Sequence, residues 1–311
     1  MGAQDSIEQQ LCAQENIQFE IIKVGKYDRT KKYTVLASAY KNIVGITQSY
    51  FIMKKYRIAG VFVSGGFVSF PVVVGARLVG ASKIVLHACD RTLGLANSMC
   101  RPFATHISCT FRETCNAYPK NETIFSGPII DYPKHKKKIE MDQKKPTLLI
   151  YGGSQGAVTI NQHVRDNIDS LTNVFNVTHV CGQGNTDESF NTVQGYTQHG
   201  YVHGMEQILQ NTDVAIARAG SNSLWELILY QIPHVAIPLP ATVSRGDQQE
   251  NAQYFADQGV TRWMNQEEFL QTDIASLMQE IYRDRKETIE KMKYFAPKEP
   301  ASEIISRLLT E

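Results

Sequence analysis

The stretch Thr147-Leu-Leu-Ile-Tyr-Gly-Gly-Ser-Gln-Gly-Ala157 joins a short apolar run to a segment with helical character. This pattern is typical of a β-strand, a glycine turn and the start of a helix. Glycine lets the backbone turn sharply and approach a ligand, and the free amides at a helix N-terminus favour phosphate. The stretch therefore predicts a phosphate-bearing ligand, with an ordinary βα loop of an α/β domain as the alternative.

Two further polar loops have the same design. Residues 218–221, Arg-Ala-Gly-Ser, follow the strand-like run 213–217 and lead into a helix that carries Glu226. Residues 247–252, Asp-Gln-Gln-Glu-Asn-Ala, follow the strand-like run 234–238 and begin another helix. Open parallel sheets bind ligands at the carboxyl ends of their strands, so the three loops favour one ligand site.

Size and composition exclude several classes of protein. A chain of 311 residues suits two domains or one large one, and a net charge of +1 gives no general reason to expect a nucleic-acid partner. Six cysteines occur without a CxxC pair, so we expect neither zinc nor a disulfide framework, but thiols in a reducing cytosol. The start lacks the features of a signal peptide, and no apolar run is long enough to span a membrane. We expect a soluble or peripheral protein.

Short apolar runs alternate with helical stretches along the chain, which predicts parallel sheets covered by helices. Between the two groups of runs lies a segment that contains a lysine cluster and ends at Pro146. We interpret 134–146 as a solvated linker between domains 1–133 and 147–311, with attraction to anionic lipid as the alternative. The predicted strands are 17–24, 60–63, 83–87, 106–110, 147–151, 174–181, 214–217 and 234–237.

The first half has candidate site residues of its own. Another glycine loop, 64–69, follows the predicted strand 60–63, and His87 lies at the end of the next strand, shortly before Asp90. A lone histidine at a strand end is more often structural than catalytic. The segment 31–56 reads as a long helix whose many apolar residues indicate core packing, although its lysines would also suit a membrane surface.

The motifs GGSQGA (152–157), RAGSNSLWE (218–226) and DQQENA (247–252), with SGGFVSFP (64–71) and LHACDRTLGLAN (86–97), together resemble the MurG family. Members of this family are peptidoglycan N-acetylglucosaminyltransferases that convert lipid I to lipid II. The resemblance implies an α/β fold with two Rossmann-like doubly wound domains facing across a cleft (GT-B type). Domain 1–133 would be the acceptor and membrane-side domain, and 147–311 the UDP-sugar donor domain. The last helix could pack back on the first domain.

The resemblance also implies roles for individual residues. The first loop would contact the donor diphosphate and sugar, the second would line the nucleotide pocket, and Glu226 would bind the ribose hydroxyls. The backbone of Val202 would read the uracil edge, and the third loop would hold the hydroxyls of the transferred sugar. The implied donor residues are Ser154, Gln155, Val202, Arg218, Ser221, Asn222, Ser223, Leu224, Trp225, Glu226, Gln248, Gln249 and Asn251.

The implied reaction is an inverting displacement in which the acceptor 4-hydroxyl attacks the anomeric carbon while UDP leaves. It needs a base near the hydroxyl and positive potential near the diphosphate, which helix N-termini can supply without a metal or cofactor. His87, with Asp90 close by, would serve as the base or position the acceptor. The acceptor would be an undecaprenyl-linked lipid, so the enzyme would be peripheral on the cytoplasmic face of the bacterial inner membrane.

The chain also departs from the family pattern. Ala88 replaces the glutamate that usually follows the histidine, and no arginine follows Gly127-Pro128. The opening strand with a GGTGGH-type loop, expected before the helix at 7–13, is absent, which predicts an incomplete N-terminal sheet with unpaired strand edges. A mis-set gene start, a truncated and inactive paralogue, or a strand supplied by a partner polypeptide would each explain this.

Three other functions stay open at this point. The acceptor could be another lipid, such as a diacylglycerol or a polysaccharide lipid, because acceptor selection resides in the altered half. The chain could bind nucleotide sugars without turnover. A UDP-sugar epimerase of similar two-domain build is a weaker option, since no motif in the sequence supports it.

Overall fold

The computed structural model describes residues 1–25, 34–91, 95–116, 118, 122–133, 145–153, 156–240 and 246–310. The chain divides into two compact units, one formed by Met1–Ile129 with Glu299–Glu311 and the other by Ile130–Lys298. The predicted linker 134–146 lies outside the described residues, apart from its last two positions.

The first unit contains one parallel sheet of order β1-β2-β3-β4 among the described residues. Its central strands are almost fully buried, because parallel sheets are covered by helices on both faces. The core of this unit includes Ile84, Leu86 and Ile107, each with no exposed surface. The elements are α1 Ile7–Gln14, α2 Thr34–Tyr56, β1 Gly60–Val63, α3 Ser69–Val79, β2 Lys83–Ala88, α4 Leu95–Cys100, β3 His106–Cys109, α5 Arg112–Asn116 and β4 Glu122–Phe125.

Strand β1 has one paired edge. It pairs in parallel with β2, and no other described strand pairs with it. Its second edge borders a groove of about 720 Å³ whose lining includes Met1–Ala3, Val24 and the strand itself. Gly2, which lines this groove, forms an isolated parallel bridge with Ile21. The predicted strand 17–24 is therefore wrong: the structure reduces it to this single bridge.

The second unit contains a larger parallel sheet of order β10-β9-β8-β5-β6-β7. The chain starts at the centre with β5, adds β6 and β7 on one side, and then adds β8, β9 and β10 on the other. This is the strand order of a Rossmann fold. The elements are β5 Thr147–Tyr151, α6 Val158–Asp166, α7 Ile168–Val174, β6 Asn176–Val180, β7 Tyr196–His199, α8 Glu206–Gln210, β8 Val214–Ala217, α9 Ser221–Leu229, β9 His234–Ala236, α10 Asp247–Asp257, β10 Arg262–Trp263, α11 Gln266–Phe269, α12 Ile274–Arg283 and α13 Arg285–Phe295.

Side chains from both faces of the second sheet build its core. Alternating residues of β5 point to opposite faces, so Leu148 and Ile150 join one cluster while Leu149 and Tyr151 join another. All of β8 is buried, as expected for a central parallel strand.

The last helix, α14 Ala301–Thr310, belongs to the first unit, where it packs against β1 and β2. Its Leu309 side chain lies against Gly60, so close that a Cβ at Gly60 would come within 3.2 Å of it. Within the described part of the chain, no helix is both long and apolar enough to cross a membrane.

The prediction of helix-covered parallel sheets is confirmed, with three strands that the sequence pattern missed. Strand β4 lacks fully buried residues, β7 is largely polar, and β10 has two residues. Edge strands of this kind carry little hydrophobic signal, because only one of their sides pairs with the sheet.

Candidate donor site at the second sheet

The strand order reverses at β5 in the second sheet, so the loops that follow β5 and β8 flank this point at the carboxyl edge. Ligands of doubly wound folds bind at such a switch point, outside the carboxyl ends of the strands. Residues 152–157 follow β5 and residues 218–220 follow β8. Both predicted loops therefore lie at the switch point.

The loop after β5 needs its glycines. Gly153 and Gly156 have positive φ angles of 84° and 76°, and the Gly156 amide donates to the Gly153 carbonyl at 3.0 Å. A Cβ at Gly152 would lie 2.7 Å from the Ala157 nitrogen, and one at Gly156 would overlap the Cys181 carbonyl oxygen. The predicted contacts Ser154 and Gln155 lie outside the described residues.

The helices at the three predicted loops begin without a side-chain cap. Their N-cap residues are Ala157 for α6, Gly220 for α9 and Gly246 for α10. No side chain of these residues accepts a hydrogen bond from an amide of the first turn. In contrast, Asn265 and Asp273 cap α11 and α12 through side-chain oxygens. Uncapped first turns leave amides and the positive end of the helix dipole for an anion.

Arg218 holds the loop after β8 in place. Its guanidinium donates to the carbonyls of Ile237 and Pro238, both at 3.2 Å, and to Gln266 Oε1 at 2.8 Å. The side chain is buried, which lowers its pKa through desolvation. These contacts make Arg218 a link between β8, β9 and α11, and its place in a nucleotide pocket stays a prediction.

The first turn of α9 offers polar atoms to a ligand. Ser221 Oγ is buried and has no hydrogen-bond partner in the structure. Asn222 is exposed, and Ser223 accepts a hydrogen bond from the Tyr151 hydroxyl at its carbonyl, at 3.0 Å. A buried hydroxyl without a partner is unfavourable, so Ser221 Oγ is available to a ligand that supplies one.

Leu224 and Trp225 contradict the prediction that their side chains line a nucleotide pocket. Both side chains have no exposed surface, and the Trp225 ring stacks on Phe295 at 5.3 Å and meets Phe255 edge to face at 5.1 Å. Trp225 lies in the core because it packs against aromatic side chains of α10 and α13. Their side chains cannot line a nucleotide pocket, although α9 places its N-terminus there.

Glu226 is the titratable group of the site with a strongly shifted pKa. Burial, and secondarily the charge of Asp131, raise the pKa of its carboxyl to about 7. Its charge also contributes to the raised pKa of Tyr151, where burial is the larger cause. A carboxyl held in such surroundings near neutral pH is typical of a functional site.

Two residues of α10 form hydrogen bonds with backbone groups of the loops that follow β8 and β9. Asn251 is 5% exposed, and its Nδ2 donates to the Ala219 carbonyl at 3.3 Å. Gln248 Oε1 accepts from the Leu239 amide at 3.0 Å, and Gln249 is half-buried. The structure therefore brings the second and third loops together as predicted, but two of the three predicted sugar contacts already bond to backbone groups.

The loop after β6 adjoins the glycine loop and was not predicted. Gly182 and Gly184 have positive φ angles of 92° and 77°, and Arg165 of α6 donates to the Asn185 carbonyl at 2.6 Å. The pair of glycines directly after the strand is the feature of the sequence that could have predicted this loop. Val202, in the loop after β7, packs with its side chain against the core, which leaves its backbone for the predicted contact with uracil.

In the first unit, His87 is 1% exposed and both ring nitrogens are engaged. Nδ1 lies 2.8 Å from Ser108 Oγ and Nε2 lies 3.0 Å from Thr110 Oγ1. Burial lowers the pKa of His87 to about 4. This geometry favours a structural role, and its predicted role as base stays a prediction. Asp90 is exposed at the same edge of the sheet.

Family models match both halves of the chain. The glycosyltransferase family 28 N-terminal domain matches residues 1–109, and the glycosyltransferase family 28 C-terminal domain matches residues 147–308.

Two similar curated proteins carry the name UDP-N-acetylglucosamine--N-acetylmuramyl-(pentapeptide) pyrophosphoryl-undecaprenol N-acetylglucosamine transferase. The protein of this name from Clostridium novyi is 34% identical over 98% of this chain and 88% of its own length. Transferase 3 of the same name from Bacillus cereus is 35% identical over 94% of this chain and 84% of its own length.

Solved structures show the same fold. The crystal structure of MurG from Acinetobacter baumannii has a TM-score of 0.77 at 22% identity, covering 99% of this chain and 90% of that one. A UDP-GlcNAc 2-epimerase from Neisseria meningitidis bound to UDP-GlcNAc has a TM-score of 0.65 at 11% identity, covering 99% and 90%. At these identities the structural likeness shows the fold alone.

The state of Ser221 allows a test of its role. Because Ser221 Oγ is buried without a protein partner, Ser221→Ala should leave the free energy of unfolding unchanged or raise it, yet weaken binding of the predicted ligand UDP about tenfold. Calorimetric titration with UDP and thermal unfolding measure the two effects. Ser276→Ala is the matched control, since Ser276 Oγ donates to Asp273 at 2.7 Å in a helix cap. The control should lose stability and keep UDP affinity; equal UDP affinity in Ser221→Ala would contradict the assignment.

Proposed function

The chain belongs to glycosyltransferase family 28, and from this premise we propose that it transfers N-acetylglucosamine from UDP-N-acetylglucosamine to N-acetylmuramyl-pentapeptide pyrophosphoryl-undecaprenol. This is the step from lipid I to lipid II in peptidoglycan synthesis. The membership confirms the predicted resemblance and the predicted class of enzyme, a hexosyltransferase. The observation that carries the proposal is the switch point of the second sheet, where the predicted loops lead into helices without side-chain caps.

The second unit would hold the donor. The amides at the starts of α6 and α9 would face the diphosphate and stabilise the charge that develops on UDP as it leaves, without a metal or cofactor. Glu226 would accept hydrogen bonds from the ribose hydroxyls, and Gln249 would hold the transferred sugar. The acceptor 4-hydroxyl would attack the anomeric carbon from the opposite side, which inverts its configuration. Asp90, which is exposed at the carboxyl end of β2, would serve as the base, and His87, with both ring nitrogens hydrogen-bonded, would hold this strand end in place.

We also propose that the enzyme works as a peripheral protein on the cytoplasmic face of the bacterial membrane and takes no nucleic-acid partner. The acceptor named for the relatives is a membrane lipid. Helix α2 exposes Tyr40, Ile43 and Phe51 at 69%, 63% and 62%, and Lys54 and Lys55 follow in its last turn. Exposed apolar and basic side chains on one helix suit an anionic lipid surface.

An acceptor panel tests the proposal. The purified chain is incubated with UDP-N-acetylglucosamine labelled in the sugar and with lipid I, a diacylglycerol or a polysaccharide lipid. Transfer to lipid I alone supports the assignment, and transfer only to another lipid would move the chain to a different acceptor class. UDP binding by calorimetry without transfer to any acceptor would favour a binding protein without turnover.

The raised pKa of Glu226 predicts a pH dependence. The ribose contacts need the carboxylate, so UDP affinity should increase as the pH rises through about 7. The stability of the unliganded protein should change in the opposite direction. The pKa of Glu226 is about 7 in the folded protein and ordinarily 4.5, so the stability that this group contributes is lost as the pH rises from 4.5 to about 7. Calorimetry and thermal unfolding across this range measure both trends. Glu226→Gln should flatten both, and a wild-type UDP affinity independent of pH would contradict the assignment.

A further inference from the structure

An apolar cavity of about 620 Å³ lies within the first unit, between the N-terminal half of α2, the start of α3 and helix α4. Its described lining contains no charged side chain, and its apolar members are Ala39, Phe67, Phe70, Leu95, Ala96 and Met99. Pockets that bury small ligands have volumes of about 300–1,000 Å³ and mostly apolar walls. The cavity thus has the size and the surface of a site for a hydrocarbon.

A hydrogen bond and a ring contact hold the cavity wall in place, and several of its apolar side chains are exposed to solvent. Asn42 Oδ1 accepts from the Gly25 amide at 2.9 Å, which satisfies the polar side of the wall, and Phe70 meets Phe103 edge to face at 6.4 Å. The side chains of Phe67, Leu95 and Met99 are 46%, 48% and 42% exposed. Large apolar groups left in contact with water favour a ligand that covers them.

Helix α4 connects the cavity to the predicted acceptor residues. Asn97, between the lining residues Ala96 and Met99, donates through Nδ2 to the His87 carbonyl at 3.3 Å. Gly65, next to the lining residue Gly66, packs on Asn97, since a Cβ there would lie 3.0 Å from Asn97 Oδ1. The cavity therefore lies beside the carboxyl end of β2, the strand that carries His87 and leads to Asp90.

We propose that this cavity binds the isoprenoid units of the lipid-linked acceptor that lie next to its pyrophosphate. The inference rests on the proposed function, since the relatives' acceptor is named a pyrophosphoryl-undecaprenol. A polyprenyl chain is a branched hydrocarbon, so burying it against the mostly apolar described lining gains hydrophobic free energy. The pyrophosphate stays outside, because the described lining residues include no cation to pair with it.

Cavity-filling variants test this in a transfer assay. Two lipid I analogues are compared, one with a geranylgeranyl chain and one in which a methyl group replaces the chain. Ala96→Phe and Ala39→Phe should raise the KM of the geranylgeranyl acceptor about tenfold, because they displace a few CH₂ groups from the cavity, and change the KM of the methyl acceptor less than twofold. Ala13→Phe is the control, since Ala13 is exposed on α1 outside the cavity lining. Equal KM changes for both acceptors, or none, would overturn the proposal.

Photolabelling with a benzophenone-bearing geranylgeranyl pyrophosphate tests the cavity without requiring transfer. Peptides that contain Phe67, Leu95 and Met99 should be labelled, and Ala96→Phe should reduce this labelling about fivefold while Ala13→Phe preserves it. The labelled positions could instead be the exposed residues of α2, with equal labelling in the wild type and in Ala96→Phe. That result would overturn the cavity site and indicate adsorption to a surface. If the wild type transfers to neither analogue, the proposed function fails, and the labelling alone decides whether the cavity binds isoprenoid.

Discussion

Glu226→Ala is expected to lower kcat/KM for UDP-N-acetylglucosamine by about 100-fold or more, because two charge-assisted hydrogen bonds to ribose would each contribute about 1.5–3 kcal/mol. The ribose is remote from the bond that breaks, so most of the change should appear in KM. Glu226 lies half-buried on α9, and desolvation, with a smaller contribution from the charge of Asp131, raises the pKa of its carboxyl to about 7. Steady-state kinetics with varied donor concentration measure the effect.

Two control variants separate the Glu226 contact from general damage. Glu226→Gln keeps the shape and one acceptor oxygen, so its loss should lie between those of the wild type and Glu226→Ala. Glu290→Gln removes an exposed carboxylate of α13 that pairs with Lys293, and should leave donor kinetics unchanged. An unchanged donor KM in Glu226→Ala would show that the ribose binds elsewhere.

Gly156→Ala is expected to lower the free energy of unfolding by more than about 3 kcal/mol, because a non-glycine residue at positive φ is strained and its Cβ also overlaps backbone. The φ angle is 76°, and the overlapping atom is the Cys181 carbonyl oxygen, which also accepts from Asn161 Nδ2 at 2.8 Å. The glycine loop and the start of α6 would have to shift. Thermal unfolding and UDP titration should therefore both report large losses.

Gly153→Ala is the matched control for the glycine loop. Its φ angle is 84°, but a Cβ at this position would meet nothing within 4 Å. Only the conformational strain remains, about 1–2 kcal/mol. If Gly153→Ala were as destabilising as Gly156→Ala, the close approach of the loop to Cys181 would not be the cause.

The sequence predicts which loops lie at the switch point of the second sheet, because strand ends and glycine loops are local features. Residues 152–157 and 218–221 could be placed at strand ends from hydrophobic runs alone, and a parallel sheet then brings such ends to one edge. The orientation of single side chains is not local. Trp225 occupies a predicted pocket motif, yet its ring lies against Phe295, a residue far along the chain.

Arg218 and His87 show the same limit for polar residues. Each has the residue type that suits its predicted role, but tertiary partners decide how its polar atoms are used. Arg218 bonds to carbonyls after β9, and His87 to hydroxyls of the loop and strand beside β2. The predicted strand 17–24 failed for a related reason, because its apolar residues pair through only one bridge, between Gly2 and Ile21.

Detection of the transfer product tests the central claim most directly. The purified chain is mixed with UDP-N-acetylglucosamine labelled in the sugar and the geranylgeranyl analogue of lipid I, and product and UDP are quantified by mass spectrometry. We predict a labelled disaccharide lipid and UDP in equal amounts, at rates that Glu226→Ala lowers about 100-fold. UDP binding without formation of the disaccharide lipid would contradict the proposed function. Conversion of the donor to its 2-epimer would contradict it as well.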